Sequence, residues 1–204
     1  MKLLIDTDAF CKLGVAGLLP DVVSRVFGTV ISECGRLPAL PHMLQRGVLR
    51  DRYGGAVCDE LIPAARSMPV LPDASIAWLE KLTPIDEIDP GEVQLLACAA
   101  DSDLFVLTGD KRALRALRNA GDIVDLLKGR VVTLEAVFIA LYDKLGPEEV
   151  RRRIAPLTKL DNVVSICFSA ENPNPRECLV SYFNALADEV EPFDLWDPGL
   201  RGAK

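Results

Sequence analysis

The sequence predicts an α/β fold, with a central parallel sheet flanked by helices over residues 1–146 and a helical extension over 147–204. Three observations predict it. Short apolar runs that stop abruptly, at 3–5 and 104–108, read as buried parallel strands. Between them lie longer segments with apolar residues at helical spacing, the alternation that crossover connections in a parallel sheet produce. After residue 146 helical patterns continue, but no segment reads as a strand.

The elements follow in order. Leu3, Leu4 and Ile5 form a first strand that stops at Asp6. Phe10, Leu13, Val15, Leu18 and Leu19 give a helix over 9–19, and Pro20-Asp21 restarts one through Val22, Val23 and Val26. Residues 27–31 read as a second strand, with Ser32 capping the helix after it. Prolines and Gly54-Gly55 interrupt 38–73, leaving a helical piece near 55–67 and an extended piece near 69–71. Residues 74–82 carry Ile76, Leu79 and Leu82 on one helical side. Asp89-Pro90-Gly91-Glu92 opens a helix to about Ala100: Asp89 suits the N-cap, Pro90 the first turn and Glu92 the capping-box position. The β-prone run 104–108 is a strand, and Gly109-Asp110 turns the chain into a helix over 111–120. Residues 130–132 are a last short strand, and Thr133 starts a helix through Tyr142. Helices near 147–156, 161–168 and 175–189 lead to a tail with Trp196 and Pro198.

With 204 residues, half of them apolar, the chain can bury one sizeable core and a small second unit. The net charge of -7 argues against a bulk electrostatic grip on duplex DNA, while leaving room for a local basic groove. Six cysteines form no C-x-x-C pair and His42 is the single histidine, so a zinc site is not expected. The thiols are expected to be reduced and buried, as in a cytoplasmic protein. Met1-Lys2 leads into only three apolar residues before Asp6, and no run approaches the length of a membrane span. Neither a secretory leader nor a membrane association is expected.

Chemistry concentrates in the acids. Asp6, Glu33, Glu92 and Asp110 all fall at expected strand ends or helix starts, and Asp8 lies two residues beyond Asp6. Ligands of parallel sheets sit beyond the carboxyl ends of the strands. Carboxylates that converge there repel one another unless a hard divalent cation such as Mg²⁺ or Mn²⁺ joins them. Such ions serve phosphodiester hydrolysis, in which positioning and charge neutralisation do most of the catalysis. Each acid also has a purely structural role open to it. Asp6 or Asp8 can cap the first helix, and Glu33 can complement a helix dipole. Glu92 can partner Asp89, and Asp110 can cap the helix that follows it.

The opening LLIDTDAF and the later PGEVQLLACAADSDLFVLTGDKRALRAL resemble the PIN domain family. The shared features are an acid ending the first strand, an acid on a helix, a strand, then a T-x-D-like turn into a helix. The resemblance covers about residues 1–135. It implies a three-layer PIN-like fold and a metal-dependent ribonuclease, with Asp6, Glu92 and Asp110 as metal ligands and Glu33 as the fourth acid. Asp8, two residues from Asp6, could add a water-mediated contact to the metal. The extension after 146 exceeds what compact PIN toxins carry, which argues against a simple toxin–antitoxin role. Homodimers are frequent in this family, and the extension could meet a protein partner.

The substrate expected is single-stranded or structured RNA. Lys111, Arg112, Arg115 and Arg118 give the helix after Asp110 a basic face, opposite Leu114 and Leu117. Thr108 could orient a water or a phosphate. Arg151-Arg152-Arg153 reads as a solvated helix face. Two other readings stay open. Asp6-Thr7-Asp8 is similar to the opening of haloacid-dehalogenase-type phosphatases, in which an aspartate is the nucleophile. A PIN-like scaffold that binds without cutting is the other.

Overall fold

The computed structural model describes residues 2–200. Four parallel strands form one sheet in the order β2-β1-β3-β4: β1 Leu3–Ile5, β2 Cys34–Arg36, β3 Phe105–Thr108 and β4 Val131–Thr133. β1 is central, with Leu3 opposite Cys34 on one side and Phe105 on the other. Leu3, Leu4, Ile5, Leu107, Val131 and Val132 are fully buried. That explains why these strands read as continuous apolar runs: both faces of the sheet are covered.

Helices fill the connections. α1 Thr7–Val15 and α2 Leu19–Asp21 follow β1, and α3 Leu40–Gln45, α4 Val48–Tyr53, α5 Gly55–Ser67, α6 Ile76–Leu82 and α7 Pro90–Asp101 lie between β2 and β3. α8 Lys111–Leu117 and α9 Asp122–Leu127 join β3 to β4. α10 Leu134–Leu145, α11 Pro147–Ile154, α12 Asn162–Cys167 and α13 Pro175–Val190 complete the chain. α13 packs on α10 and α8, so the extension is built onto the sheet's own helices. Among the described residues, no helix is long and apolar enough to cross a membrane.

One strand stands elsewhere than the sequence suggests. Residues 27–31, expected as the second strand, are an irregular passage, and Ile31–Glu33 is a single 3-10 turn. A π-helical turn over Val22–Val26 and Gly28, at φ +58°, carry the chain around before it reaches the sheet. Val30 is 55% exposed. The strand forms instead at Cys34-Gly35-Arg36, where Cys34 and Gly35 are buried beside β1; pairing context outweighs intrinsic β-propensity. No helix capped by Ser32 exists.

Both edges of the sheet are covered. On β2, the Arg36 amide donates to the Pro69 carbonyl (3.1 Å) and the Leu71 amide to the Arg36 carbonyl (3.0 Å), so the extended piece near 69–71 is a bridge. On β4, the Trp196 amide donates to the Val131 carbonyl at 2.8 Å. The Trp196 ring packs on Phe27, centroids 5.6 Å apart.

Candidate active-site cleft

Three backbone anchors bring three acids to the carboxyl end of the sheet. Asp6 follows β1, and its amide donates to the Leu107 carbonyl of β3 at 2.9 Å. Its carboxylate caps α1 by accepting from the Asp8 amide (3.2 Å). Asp110 follows β3. It caps α8 by accepting from the amides of Arg112 (2.7 Å) and Ala113 (3.2 Å). Glu92 arrives on α7 through a complete capping box. Its amide donates to Asp89 Oδ1 at 2.8 Å, and its carboxylate accepts from the Asp89 amide at 3.2 Å.

Asp6, Asp8, Asp89, Glu92 and Asp110 line one cleft of about 490 Å³, with Arg52, Lys111 and Arg112 on its wall. Beyond Asp6 and Thr7 a second cavity of about 510 Å³ continues past Leu37, Pro38, Met43 and Pro90, and it is chiefly apolar.

The acids feel one another. Burial pushes the Asp6 carboxyl up to about 6, and the charges of Asp8 and Asp89 add to this against the pull of the Thr7 and Asp8 amides. Burial pushes Glu92 up to about 8, and the charges of Asp110, Asp89 and Asp6 push the same way. Glu92 is only 6% exposed. Repulsion of this kind between oxygen donors is what a hard divalent cation relieves, and an all-carboxylate set suits Mg²⁺ or Mn²⁺ chemically. In their present positions the side chains close their own helix starts. Among the described residues, no three Asp, Glu, His or Cys side chains stand close enough together to hold a metal ion.

Asp8 is engaged on both oxygens. Tyr53 Oη donates to Oδ1 at 2.6 Å, Arg52 lies 3.1 Å from the same oxygen, and Lys12 Nζ lies 2.8 Å from Oδ2. Lys12 is 7% exposed and also meets Asp161 Oδ2 at 2.7 Å, so the extension is joined through Lys12 to the cleft residue Asp8. Lys111 pairs with the buried Glu135 at 2.6 Å and faces the Tyr182 ring.

Four expectations are corrected. Glu33 precedes β2 and so lies at the amino end of the parallel sheet, opposite Asp6; the Lys2 amide donates to its carbonyl. Its exposed carboxylate accepts from Thr29 Oγ1 at 2.6 Å and is held below the usual range by that bond. Thr108 is 4% exposed, and its hydroxyl accepts from the Asp110 amide at 3.1 Å, so it braces the turn rather than facing the cleft. Arg115 turns to Glu189 of α13 at 2.6 Å, and Arg118 donates to the Glu189 carbonyl at 2.7 Å. Only Lys111 and Arg112 of the expected basic set line the cleft.

Sequence reasoning missed Arg52, Tyr53, Lys12 and Asp161. Arg52 and Tyr53 lie in the proline-broken stretch where no periodicity points inward. Lys12 and Asp161 carry no local signal, because only the tertiary fold joins them. Comparison of the chain with protein-family models, with curated proteins and with solved structures gives no significant match.

Proposed function

We propose that this chain is a divalent-metal-dependent ribonuclease of PIN-like, three-layer architecture that hydrolyses RNA phosphodiesters in the cleft beyond β1 and β3. The observation that carries the reading is that three separate elements deliver Asp6, Glu92 and Asp110 to the lining of one cleft with cations on its wall. Their order along the chain supports it: strand end, helix start, strand end.

Asp6, Glu92 and Asp110 would hold Mg²⁺ or Mn²⁺. When bound, the cation supplies charge neutralisation and polarisation of a phosphoryl oxygen. Arg52 and Arg112 attract the phosphate backbone, and Lys111 is held in place by Glu135 and Tyr182. The apolar cavity beside Asp6 is suited to an unstacked base, which favours single-stranded over duplex RNA. The reading fits a cytoplasmic protein. Asp8, tied to Lys12, Tyr53 and Arg52, has little freedom to act as the second aspartate of a phosphatase.

A binding scaffold is the second reading, favoured by the fact that Asp6, Glu92 and Asp110 each already serve a helix start. One experiment separates the two. Labelled single-stranded RNAs are incubated with the protein and Mn²⁺ or Mg²⁺, with a chelator, and with an Asp6→Asn/Asp110→Asn variant. Asparagine keeps both caps, so the variant folds. Cleavage that needs the metal and both aspartates supports the nuclease. RNA bound but never cut, with no metal uptake, leaves the scaffold.

A further inference from the structure

The extension carries a pair of thiols that the cleft does not use. Cys167 is the last residue of α12 and Cys178 lies near the start of α13; their sulfurs are 2.7 Å apart. Cys167 is fully buried, while Cys178 is half-buried and reachable from solvent. Cys11, Cys34, Cys58 and Cys98 lie inside the core.

The connection between the two is pinned. Asn172 Nδ2 donates to the Cys167 carbonyl at 2.8 Å, and Arg151 Nη2 donates to the Asn172 carbonyl at 3.2 Å. Pro175 opens α13 three residues before Cys178. The two sulfurs are therefore presented to each other by ordered backbone, the condition for a bond with little rearrangement.

We propose that Cys167 and Cys178 are a reversible dithiol–disulfide site, oxidised by exchange with a small disulfide such as oxidised glutathione. Cys178, as thiolate, attacks one glutathione sulfur. A mixed disulfide forms and one glutathione leaves. Cys167, as thiolate, then attacks the Cys178 sulfur and displaces the second glutathione. The two cysteines lose two electrons, and their two protons end on the two glutathione thiols. Burial, contact with Cys178 and the nearby charge of Glu135 push the Cys167 thiol up, which assigns the first attack to Cys178.

The bond would tie two helices that each contact a lysine of the site: Lys12, paired with the cleft residue Asp8, and Lys111, which lines the cleft. Asp161 caps α12 and grips Lys12, and Tyr182 of α13 lies over Lys111. Closing the short loop 168–177 also restricts the unfolded chain, so the oxidised protein melts higher.

The test uses the full native chain equilibrated in glutathione buffers from fully reduced to fully oxidised. It is then acid-quenched, alkylated in denaturant, digested and weighed. The expected result is one linked peptide pair joining Cys167 to Cys178, two hydrogens lighter than the reduced pair and reversed by dithiothreitol. The Tm should rise by a few degrees on oxidation in the wild type and stay unchanged in Cys178→Ser. Alkylation of both residues in the fully oxidised native protein would overturn the proposal, as would linkage of either one only to another cysteine. The peptide map needs no variant, so misfolding of Cys178→Ser does not affect it.

Discussion

Lys12 of α1 and Asp161, the cap of α12, meet at 2.7 Å across 149 residues of sequence. The ammonium is buried and has a second carboxylate, Asp8, at 2.8 Å. A buried cation between two acids is one side of a balance: the charges cost hydration, and their mutual attraction with good hydrogen bonds offsets it. The C-terminal extension is in this way part of the electrostatics of the cleft.

Asp161→Asn isolates that contribution, because asparagine still caps α12 but carries no charge. We expect a loss of about 1–3 kcal/mol in urea unfolding at neutral pH. Burial alone would raise the Asp161 carboxyl, yet the bond to Lys12 and its charge hold it below the ordinary range. The stabilisation is therefore present above the unfolded pKa and lost as pH falls through the folded one. Wild type and variant should converge only in strong acid. Equal urea midpoints at pH 7 would mean that Asp8 alone satisfies Lys12.

Glu92 has the opposite sign. Its folded pKa of about 8 lies above the ordinary 4.5, so the folded chain retains a proton that the unfolded chain has released. Stability then falls as pH rises between these values and levels off above the upper one. Glu92→Gln keeps the capping box and removes the charge. It should match wild type near pH 4 and exceed it above pH 8 by on the order of a few kcal/mol. Thermal melts from pH 4 to 9 read this directly. Mn²⁺ should recover the stability of wild type at pH 8 and leave Glu92→Gln unmoved.

The nuclease reading separates Glu33 from the other acids. Asp6→Asn or Asp110→Asn should lower metal-dependent RNA cleavage at least about 100-fold, the upper range for losing a group that supports a metal. Glu33→Gln should stay within about twofold of wild type, since it lies at the other end of the sheet and affects only the bond to Thr29. A Glu33→Gln variant as inactive as Asp6→Asn would displace the proposed centre.

The arginines divide in the same manner. Arg112→Ala or Arg52→Ala should weaken RNA binding and flatten its dependence on salt by about 0.7 for each phosphate no longer neutralised. Arg115→Ala should leave RNA affinity unchanged and cost at most about 1 kcal/mol of stability, as for an exposed ion pair. Titrations at several salt concentrations compare the slopes of the three variants with wild type. A shallower slope for Arg115→Ala would return that residue to the RNA face.

Legibility in the sequence followed how local the cause was. The helix at Asp89-Pro90-Gly91-Glu92 was readable because its cap, proline and capping-box acid lie within four residues. Asp6 and Asp110 were readable because a strand's end marks the ligand side of a parallel sheet. β2 was not: Cys34-Gly35-Arg36 has no β-propensity of its own and is a strand only because β1 lies beside it. Glu33 failed with it, since moving the strand along the chain carried the acid from one end of the sheet to the other. Arg115 and Arg118 share helical spacing with Arg112, but α13 claims them, and no periodicity within α8 shows a partner about 70 residues later.

The closed edge of β4 has a consequence for the order in which this protein can be made. The last partner of Val131 is Trp196, and Trp196 also fills the place against Phe27. While the ribosome is still elongating the chain, strands laid down early have no such cover. A nascent chain halted before residue 196 presents an open β edge and a bare aromatic to its surroundings, a surface that chaperones hold and other chains aggregate on. The sheet begun at Leu3 is thus finished only after nearly the whole described chain has left the exit tunnel.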